Sequence, residues 1–229
     1  GAEASAMDPQ QRLLLQTARE ALEDAGMLRA DGVVEGSPRV GVYIGISSAD
    51  YSTNQIIDAQ DNEKTNPYTA TGGALSIAAN RISYTFNLRG PSIAIDTACS
   101  SSLTAMHLAI QALRSGDCDA ALVGGVNVLL NPQISAALIA AGMLSPDTQI
   151  RFGDDAANGY VRGEGCGLVI LKRLAQATEA GDLIYATVLG SAVNQDGRSN
   201  GLTAPNPASQ EAVVRAACED ACVSPADVA

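Results

Sequence analysis

The sequence predicts an α/β fold in which helices cover a central sheet. Short β-branched runs bounded by Gly or Asp alternate along the chain with stretches whose apolar residues recur every three or four positions. Such alternation of strands and helices is typical of layered α/β proteins. The 229 residues are 46% hydrophobic and 17% charged, so the chain can bury a core of one large domain or two small ones.

The elements of the first part follow from local signals. Residues 9–25 predict a helix, because Asp8 suits the N-cap, Pro9 suits the first position and Gly26 suits the terminator. Residues 40–46 read as a buried strand. The polar residues 50–66 have no period, which indicates a surface excursion. A helix rich in small residues is expected over 74–83, and a short strand over 93–95.

The second part continues the alternation. Residues 100–113 predict a helix with Leu103, Met106, Ile110 and Leu113 on one face. A strand is expected over 119–129 and a small-residue helix over 132–141. A strand over 168–172 is approached through a glycine-rich turn, another strand is expected over 183–193, and a helix over 209–221.

The charge of the chain excludes several functions. Its 25 acidic and 14 basic residues give a formal net charge of −11, which disfavours binding to nucleic acid or to a membrane through a basic face. The longest apolar windows are shorter than the roughly 20 residues that span a bilayer. Five cysteines without a CxxC pair argue against disulfides and zinc. We therefore expect a soluble, cytoplasmic protein with no bound metal.

Cys99 is the candidate nucleophile. It lies where the strand that ends before Asp96-Thr97-Ala98 passes into the next helix. Unpaired backbone N–H groups and the helix dipole at such a position both favour a thiolate. Position alone leaves open a buried, inert cysteine.

The sequence around Cys99 resembles a known family. DTACSSSL (96–103) is similar to the active-site signature of β-ketoacyl synthases, specifically the ketosynthase domains of modular polyketide synthases. Further segments resemble that family in the same order, and they are MDPQQRLLL (7–15), NRISY (80–84), GYVRGEG (159–165) and NQDGRSNGLTAPN (194–206).

The resemblance implies a thiolase-like α/β/α/β/α fold, truncated at both ends. Residues 1–229 would hold most of the first half-fold and, from about residue 160, the beginning of the second. Cys99 would accept an acyl chain from an acyl carrier protein, whose phosphopantetheine arm delivers substrate, for condensation with a malonyl-type extender. No separately bound cofactor is implied. A homodimer is expected, with strands near 91–96 pairing across its two-fold axis.

The resemblance also implies two catalytic histidines, whereas the chain contains only His107. In a helix His107 lies about 12 Å along the axis from Cys99, too far for a base that must come within about 3 Å of its target. We interpret it as a core or interface residue, and expect that the isolated chain cannot complete condensation. The alternatives are a non-catalytic dimerisation fragment and, from another class, a cysteine hydrolase.

Other segments carry weaker expectations. Residues 194–206 would help to line the acyl cavity, and the glycines between 159 and 167 would form a tight turn beside the active site. Arg12, Arg39 and Arg151 are candidates for a basic patch that docks an acidic carrier protein. The family's Phe-Asp pair is interrupted here after Phe152, so its place at the cavity mouth stays open.

Overall fold

A four-stranded mixed sheet lies at the centre of the computed structural model, which describes residues 1–34, 39–58 and 67–228. Its strands are β1 (Val40–Gly45), β2 (Ser92–Ile95), β3 (Ala120–Asn127) and β4 (Gly165–Lys172). They lie in the order β2-β1-β3-β4, with β1 parallel to β2 and β3, and β4 antiparallel to β3. The segments that follow the three parallel strands therefore meet at one edge of the sheet.

Helices make up most of the remaining described chain. They are α1 (Ala2–Ala6), α2 (Pro9–Asp24), α3 (Asp50–Asp58), α4 (Thr69–Gly73), α5 (Leu75–Phe86), α6 (Ser101–Ser115), α7 (Pro132–Ala140), α8 (Leu174–Ala180) and α9 (Pro207–Ala221), with a 3₁₀ helix at Pro225–Asp227. The predicted start of α2 is confirmed: the Asp8 carboxylate accepts a hydrogen bond of 2.8 Å from the Gln10 N–H. Gly26 follows this helix with a left-handed φ of 64°.

Helices pack on both faces of the sheet, so the described part has three layers. On one face, Leu14 and Leu22 of α2 and Ile82 of α5 share a buried cluster with Val42 and Ile44 of β1. On the other face, α6 packs in a second cluster with Tyr43, Ala121 and Val123. This arrangement confirms the predicted α/β architecture and leaves both faces of the central strand β1 covered.

The predicted apolar face of α6 is confirmed in part: Leu113 is buried and Met106 packs against the second cluster, whereas the prediction is wrong for Leu103. Leu103 is 70% exposed, and the buried residues of the helix are Ser101, Ala105, Ala109, Ala112 and Leu113. Alanine has no side chain beyond Cβ, so the helix can lie close to the sheet at the glycine end of β1. Small residues therefore make up most of the packed face, and Leu113 completes it.

The surface excursion predicted over residues 50–66 is wrong for its first part, which forms α3. Asp50 is only 6% exposed, and its Oδ2 atom accepts hydrogen bonds of 3.0 Å from the backbone N–H groups of Leu130 and Asn131. The side chains of Asn54 and Asn131 add a bond of 3.2 Å. This helix is held in place by polar contacts. Its sequence therefore lacks the apolar period by which a helix is recognised. Residues 59–66 lie outside the described residues.

The strand predicted over residues 183–193 is also wrong, since these residues pair with no strand in the part of the chain that the structure describes. Side-chain bonds hold the segment instead: the Tyr185 hydroxyl donates to Asp24 at 3.0 Å, and the Ser191 N–H donates to Asp220 at 2.9 Å. Leu183 and Leu189 are mostly exposed. An apolar run becomes a strand only when a neighbouring strand satisfies its backbone.

Strand β4 begins earlier than the sequence predicted. Gly165 and Gly167 lie within the strand and not in a turn, and they pair with Asn127 and Gly125 of β3. A Cβ atom at Gly124 of β3 would collide with the backbone carbonyl of Gly167 and approach Leu168 to 2.9 Å. Glycine is therefore required here for the close approach of two strands.

The buried Tyr43 of β1 predicts that the fold loses stability at alkaline pH. Its side chain is 2% exposed, and burial, followed by the nearby Cys118 and Asp117, raises the pKa of Tyr43 to about 12. A tyrosine in the unfolded chain ionises near pH 10. Because the folded pKa is the higher, the stabilisation that the neutral phenol provides is complete below pH 10 and is lost as the pH rises towards 12.

We expect the free energy of unfolding of the wild type to fall by about 1.4 kcal/mol more than that of Tyr43→Phe between pH 8 and pH 11. Urea unfolding followed by circular dichroism at both pH values measures the difference. Tyr84→Phe changes a side chain that is 90% exposed and should follow the wild type. Equal pH dependence of the wild type and Tyr43→Phe would contradict the assignment.

Candidate active site

The candidate nucleophile lies in a five-residue turn between β2 and α6. Strand β2 ends at Ile95, Ser100 is the N-cap of α6, and the helix begins at Ser101. Cys99 is exposed directly before the N-cap. The structure thus places Cys99 at the start of a 15-residue helix, as the sequence predicted.

The turn contains a strained backbone position. Ala98 has φ of 55°, in the left-handed region that costs a residue with a Cβ atom about 1–2 kcal/mol. Two side chains hold it there. Asp96 Oδ1 accepts a hydrogen bond of 2.9 Å from the Ala98 N–H, and the Ser101 hydroxyl donates to the Ala98 carbonyl at 2.6 Å. The residue before Cys99 is therefore fixed on both sides of its Cα atom.

Hydroxyl groups fix the rest of the turn. The Thr97 N–H donates to Ser101 Oγ at 2.9 Å, and the Ser100 hydroxyl donates to the Thr97 carbonyl at 2.8 Å. Thr97 Oγ1 also lies 3.1 Å from Thr104 Oγ1. Ser101 is only 5% exposed. Serines that follow Cys99 thus shape the turn itself.

Ser47 is a site residue that the sequence analysis missed. It follows β1, and its hydroxyl donates to Asp96 Oδ1 at 2.8 Å. The Ala98 N–H and then the Ser47 hydroxyl, both donating to the Asp96 carboxylate, lower the pKa of Asp96. Asp-Thr-Ala is a recognisable signal for an Asx turn. No sequence signal indicates Ser47, which is 49 residues away from Asp96.

The position of Cys99 suits nucleophilic chemistry. The first N–H groups of a helix lack partners within the helix, and the dipole of α6 adds positive potential at the same end. The exposed sulfur of Cys99 is accessible to an acyl substrate, and the thiolate is the form of a cysteine that attacks carbonyl carbon. The arrangement can therefore form a covalent thioester with an acyl group.

His107 lies on α6 two turns beyond Cys99. It is half-buried, and its Nδ1 atom is 2.9 Å from the Ser191 hydroxyl. Asp220 accepts from the Ser191 N–H and pairs with Arg114 at 2.8 Å, so this group ties α6 to α9. The contact is that of an interface residue, as the sequence indicated, and it directs the imidazole towards residues 183–193.

The three arginines proposed for carrier docking are each held by internal contacts. Arg12 donates to the Met7 carbonyl at 2.7 Å, Arg39 pairs with Asp119 at 2.9 Å, and Arg151 pairs with Asp147 at 2.5 Å. Arg151 also holds the pKa of the Asp147 carboxyl well below its usual range. The structure gives each of these arginines an internal partner.

Two further segments were predicted to belong to the site, the loop over residues 194–206 and the segment around Phe152. Residues 195–205 line a cavity of about 520 Å³, and the Asp196 carboxylate closes the loop by accepting from the Asn206 N–H at 3.0 Å. Phe152 is fully exposed.

Within the described ranges, no group of three His, Cys, Asp or Glu side chains is placed to hold a metal ion. No helix described here has the length and apolar character needed to cross a membrane.

The fold and the turn that carries Cys99 are similar to those of thiolase-like ketosynthases. Family profiles match the β-ketoacyl synthase N-terminal domain over residues 1–177 and the C-terminal domain over residues 185–229. The chain therefore belongs to the β-ketoacyl synthase family, and its relatives are ketosynthase regions of polyketide synthases.

Two relatives show the extent of the similarity. A phenolphthiocerol/phthiocerol polyketide synthase of Mycobacterium tuberculosis is 51% identical over 99% of this chain, which covers 12% of that protein. The polyketide synthase ThaG of Burkholderia thailandensis is also 51% identical over 99% of the chain, which covers 4% of it. The chain thus spans a small part of the curated relatives it matches.

Solved ketosynthase structures confirm the thiolase-like fold. The ketosynthase from module 6 of the bacillaene synthase of Bacillus subtilis 168 is 44% identical, with a TM-score of 0.85 over 97% of this chain and 37% of that one. The oxazolomycin ketosynthase domain OzmH KS7 of Streptomyces albus JA3453 is 41% identical, with a TM-score of 0.90 over 98% of this chain and 38% of that one.

Proposed function

We propose that this chain carries the acyl group during polyketide chain extension, with Cys99 as the nucleophile. The Cys99 thiolate attacks the carbonyl carbon of an acyl thioester on the phosphopantetheine arm of an acyl carrier protein. A carbon–sulfur bond to Cys99 forms as the bond to the pantetheine sulfur breaks. The pantetheine thiolate leaves and takes up a proton.

In the condensation that follows, a malonyl-type extender on a carrier protein loses carbon dioxide, and its enolate carbon attacks the Cys99 thioester. The carbon–sulfur bond to Cys99 breaks, and the β-ketoacyl product stays on the carrier. The thiolate of Cys99 is regenerated. The observation that carries the proposal is the exposed thiol of Cys99 on a fixed turn at the start of α6.

We further propose that condensation needs residues outside this chain. The single histidine is bonded to Ser191 and lies about 12 Å along α6 from Cys99. The chain covers 37–38% of the ketosynthase chains that it matches. On this proposal, residues 1–229 hold most of the first thiolase half and, from about residue 160, the beginning of the second.

The proposed partners are an acyl carrier protein and a second copy of the ketosynthase. Among the described strands, β2 lies at an edge of the sheet, and its Ile93 is exposed. Pairing of residues 91–96 across a two-fold axis would cover that edge. A non-catalytic dimerisation fragment is the alternative, which the exposed thiol at Cys99 disfavours.

Incubation of the chain with a hexanoyl-pantetheine thioester, followed by peptide mass mapping, tests the role of Cys99. We expect one hexanoyl group per chain on the peptide that contains Cys99. Cys99→Ala should lose this label, because no other thiol of the described residues lies directly before the N-cap of an α-helix. Cys222 is also exposed, so Cys222→Ala is the matched control and should label like the wild type.

The outcomes separate the three functions. A stable acyl group on Cys99 supports the condensing enzyme. Repeated release of free hexanoate without accumulation of the acyl-enzyme supports a hydrolase. Labelling that is equal in the wild type and Cys99→Ala rejects Cys99 as the nucleophile and leaves the scaffold function.

A further inference from the structure

The turn that carries Cys99 depends on contacts from outside the DTACSSSL signature. Ala98 adopts a left-handed conformation that a residue with a Cβ atom rarely adopts without external support. The Asp96 carboxylate supports it through the Ala98 N–H. A carboxylate on a turn is free to rotate unless another group holds it, and here Ser47 is that group.

Ser47 joins the turn to the centre of the sheet. It comes two residues after Gly45, the last residue of β1, and β1 is the strand covered on both faces. Its Oγ atom lies 2.8 Å from Asp96 Oδ1 and 3.1 Å from Ser101 Oγ. Asp96 and Ser101 hold the N–H and the carbonyl of Ala98, and Ser47 Oγ itself lies 3.5 Å from the Ala98 carbonyl oxygen.

Each serine hydroxyl has one hydrogen to donate, and this decides which group is the donor in each of these contacts. The Ser101 hydroxyl donates its hydrogen to the Ala98 carbonyl at 2.6 Å. The single hydrogen of Ser47 then has three acceptors within reach, which are Asp96 Oδ1, Ser101 Oγ and, at 3.5 Å, the Ala98 carbonyl oxygen. The ionised carboxylate is both the nearest and the strongest of them. Asp96 Oδ1 therefore receives two donors, one from the turn and one from the end of β1.

We propose that Ser47 and Asp96 are positioning residues that hold Ala98 in its left-handed conformation and so align the thiol of Cys99. This inference rests on the proposed role of Cys99 and deepens it. Neither residue bonds the reacting sulfur, so each acts through the backbone of Ala98. Their loss should lower the rate at which bound substrate reacts and leave substrate binding unchanged.

The test compares acylation kinetics of Cys99 by the hexanoyl thioester at varied concentration. Asp96→Ala should lower the maximal rate about tenfold or more with an unchanged half-saturation concentration. Ser47→Ala should lower it about threefold or more. Asp96→Asn keeps an oxygen that accepts from the Ala98 N–H, so it should stay within about threefold of the wild type.

A second substitution tests the mechanism of the effect. Glycine adopts positive φ about as readily as negative φ, so Ala98→Gly in the Asp96→Ala background should recover at least about threefold in maximal rate. Ser48→Ala is the matched control, because its hydroxyl contacts the Val128 carbonyl and not the turn. It should acylate at the wild-type rate. Urea unfolding of each variant normalises the rates to the folded fraction.

The proposal is overturned if Asp96→Ala and Ser47→Ala acylate at the wild-type rate, or if their losses match a loss of folded protein. It is also overturned if Ala98→Gly gives no recovery. A wild-type Cys99 that is never acylated rejects the proposed function instead. In that event the same variants are compared by the rate at which iodoacetamide alkylates Cys99, where a change in Asp96→Ala that Ala98→Gly reverses supports the positioning role.

Discussion

Replacement of Gly45 by alanine is expected to destabilise the chain by about 1–3 kcal/mol or more and to slow acylation of Cys99 about tenfold or more. A Cβ atom at Gly45 would lie 2.5 Å from the Ser102 nitrogen and 2.7 Å from the Ser101 carbonyl carbon. Both contacts are with backbone, so no side-chain rotation can relieve them. Either β1 or the first turn of α6 must move.

The effect on acylation follows because the displaced segment carries the site. The Ser101 hydroxyl donates a hydrogen bond to the Ala98 carbonyl and accepts one from the Thr97 N–H. A shift of the first turn of α6 therefore changes the turn on which Cys99 lies. Strain elsewhere in the sheet would lower stability without this loss of rate, which makes the combined effect specific to Gly45.

Urea unfolding and labelling by hexanoyl-pantetheine measure the two effects on the same samples. Gly167→Ala in β4 is the control, because a Cβ atom there meets no atom within 4 Å. It should retain the wild-type unfolding midpoint and rate. A Gly45→Ala variant that matches this control in both measurements would show that the first turn of α6 yields to the added methyl group at no cost.

The elements that could be predicted from the sequence are those with local signals. Helix α2 has its N-cap, its proline and its terminal glycine within 19 consecutive residues, from Asp8 to Gly26. Strand β1 is a continuous apolar run that proves buried along its whole length. Such signals need no knowledge of the neighbours, and both predictions are confirmed within a residue or two.

The predictions that are wrong involve contacts between distant residues. Residues 183–193 have the composition of a strand and lack a paired strand in the described chain. The face of α6 was predicted from its large residues, whereas the sheet receives its alanines together with Leu113, and Leu103 is exposed. In each case the sequence reflects the intrinsic preference of a segment, and the structure is decided by what lies against it.

The residues of the candidate site also fall into those that local sequence signals could predict and one that they could not. Cys99 could be predicted because its motif and its place before a helix are both local. Asp96 could have been assigned from the Asx turn that it forms with Ala98. Ser47 could not, because it reaches the turn only through the parallel pairing of β1 with β2, which brings the ends of the two strands together.

This pairing explains why the site tolerates a strained residue. Gly45 pairs with Ile95, so the segments that follow them leave the sheet side by side. Ser47 and Asp96 are then within hydrogen-bond distance without any long excursion of either chain. The sheet supplies the rigidity, Asp96 and Ser101 hold Ala98 directly, and Ser47 holds Asp96.

Asp50 is a second residue whose importance arises from distant contacts, and Asp50→Ala is expected to destabilise the chain by about 2–4 kcal/mol. The substitution removes the acceptor of two backbone N–H groups, those of Leu130 and Asn131. Each donor left without a partner in a buried place costs about 1–3 kcal/mol. The start of α7 should loosen as well, since Asn131 is its N-cap.

Asp50→Asn separates the hydrogen bonds from the charge. The amide oxygen can accept from the same two N–H groups, so this variant should lose less than half of what Asp50→Ala loses in urea unfolding. Asp155→Ala, at an exposed position, should keep the wild-type midpoint. Equal losses in Asp50→Asn and Asp50→Ala would mean that the carboxylate charge, and not its role as an acceptor, holds α3 against the segment that precedes α7.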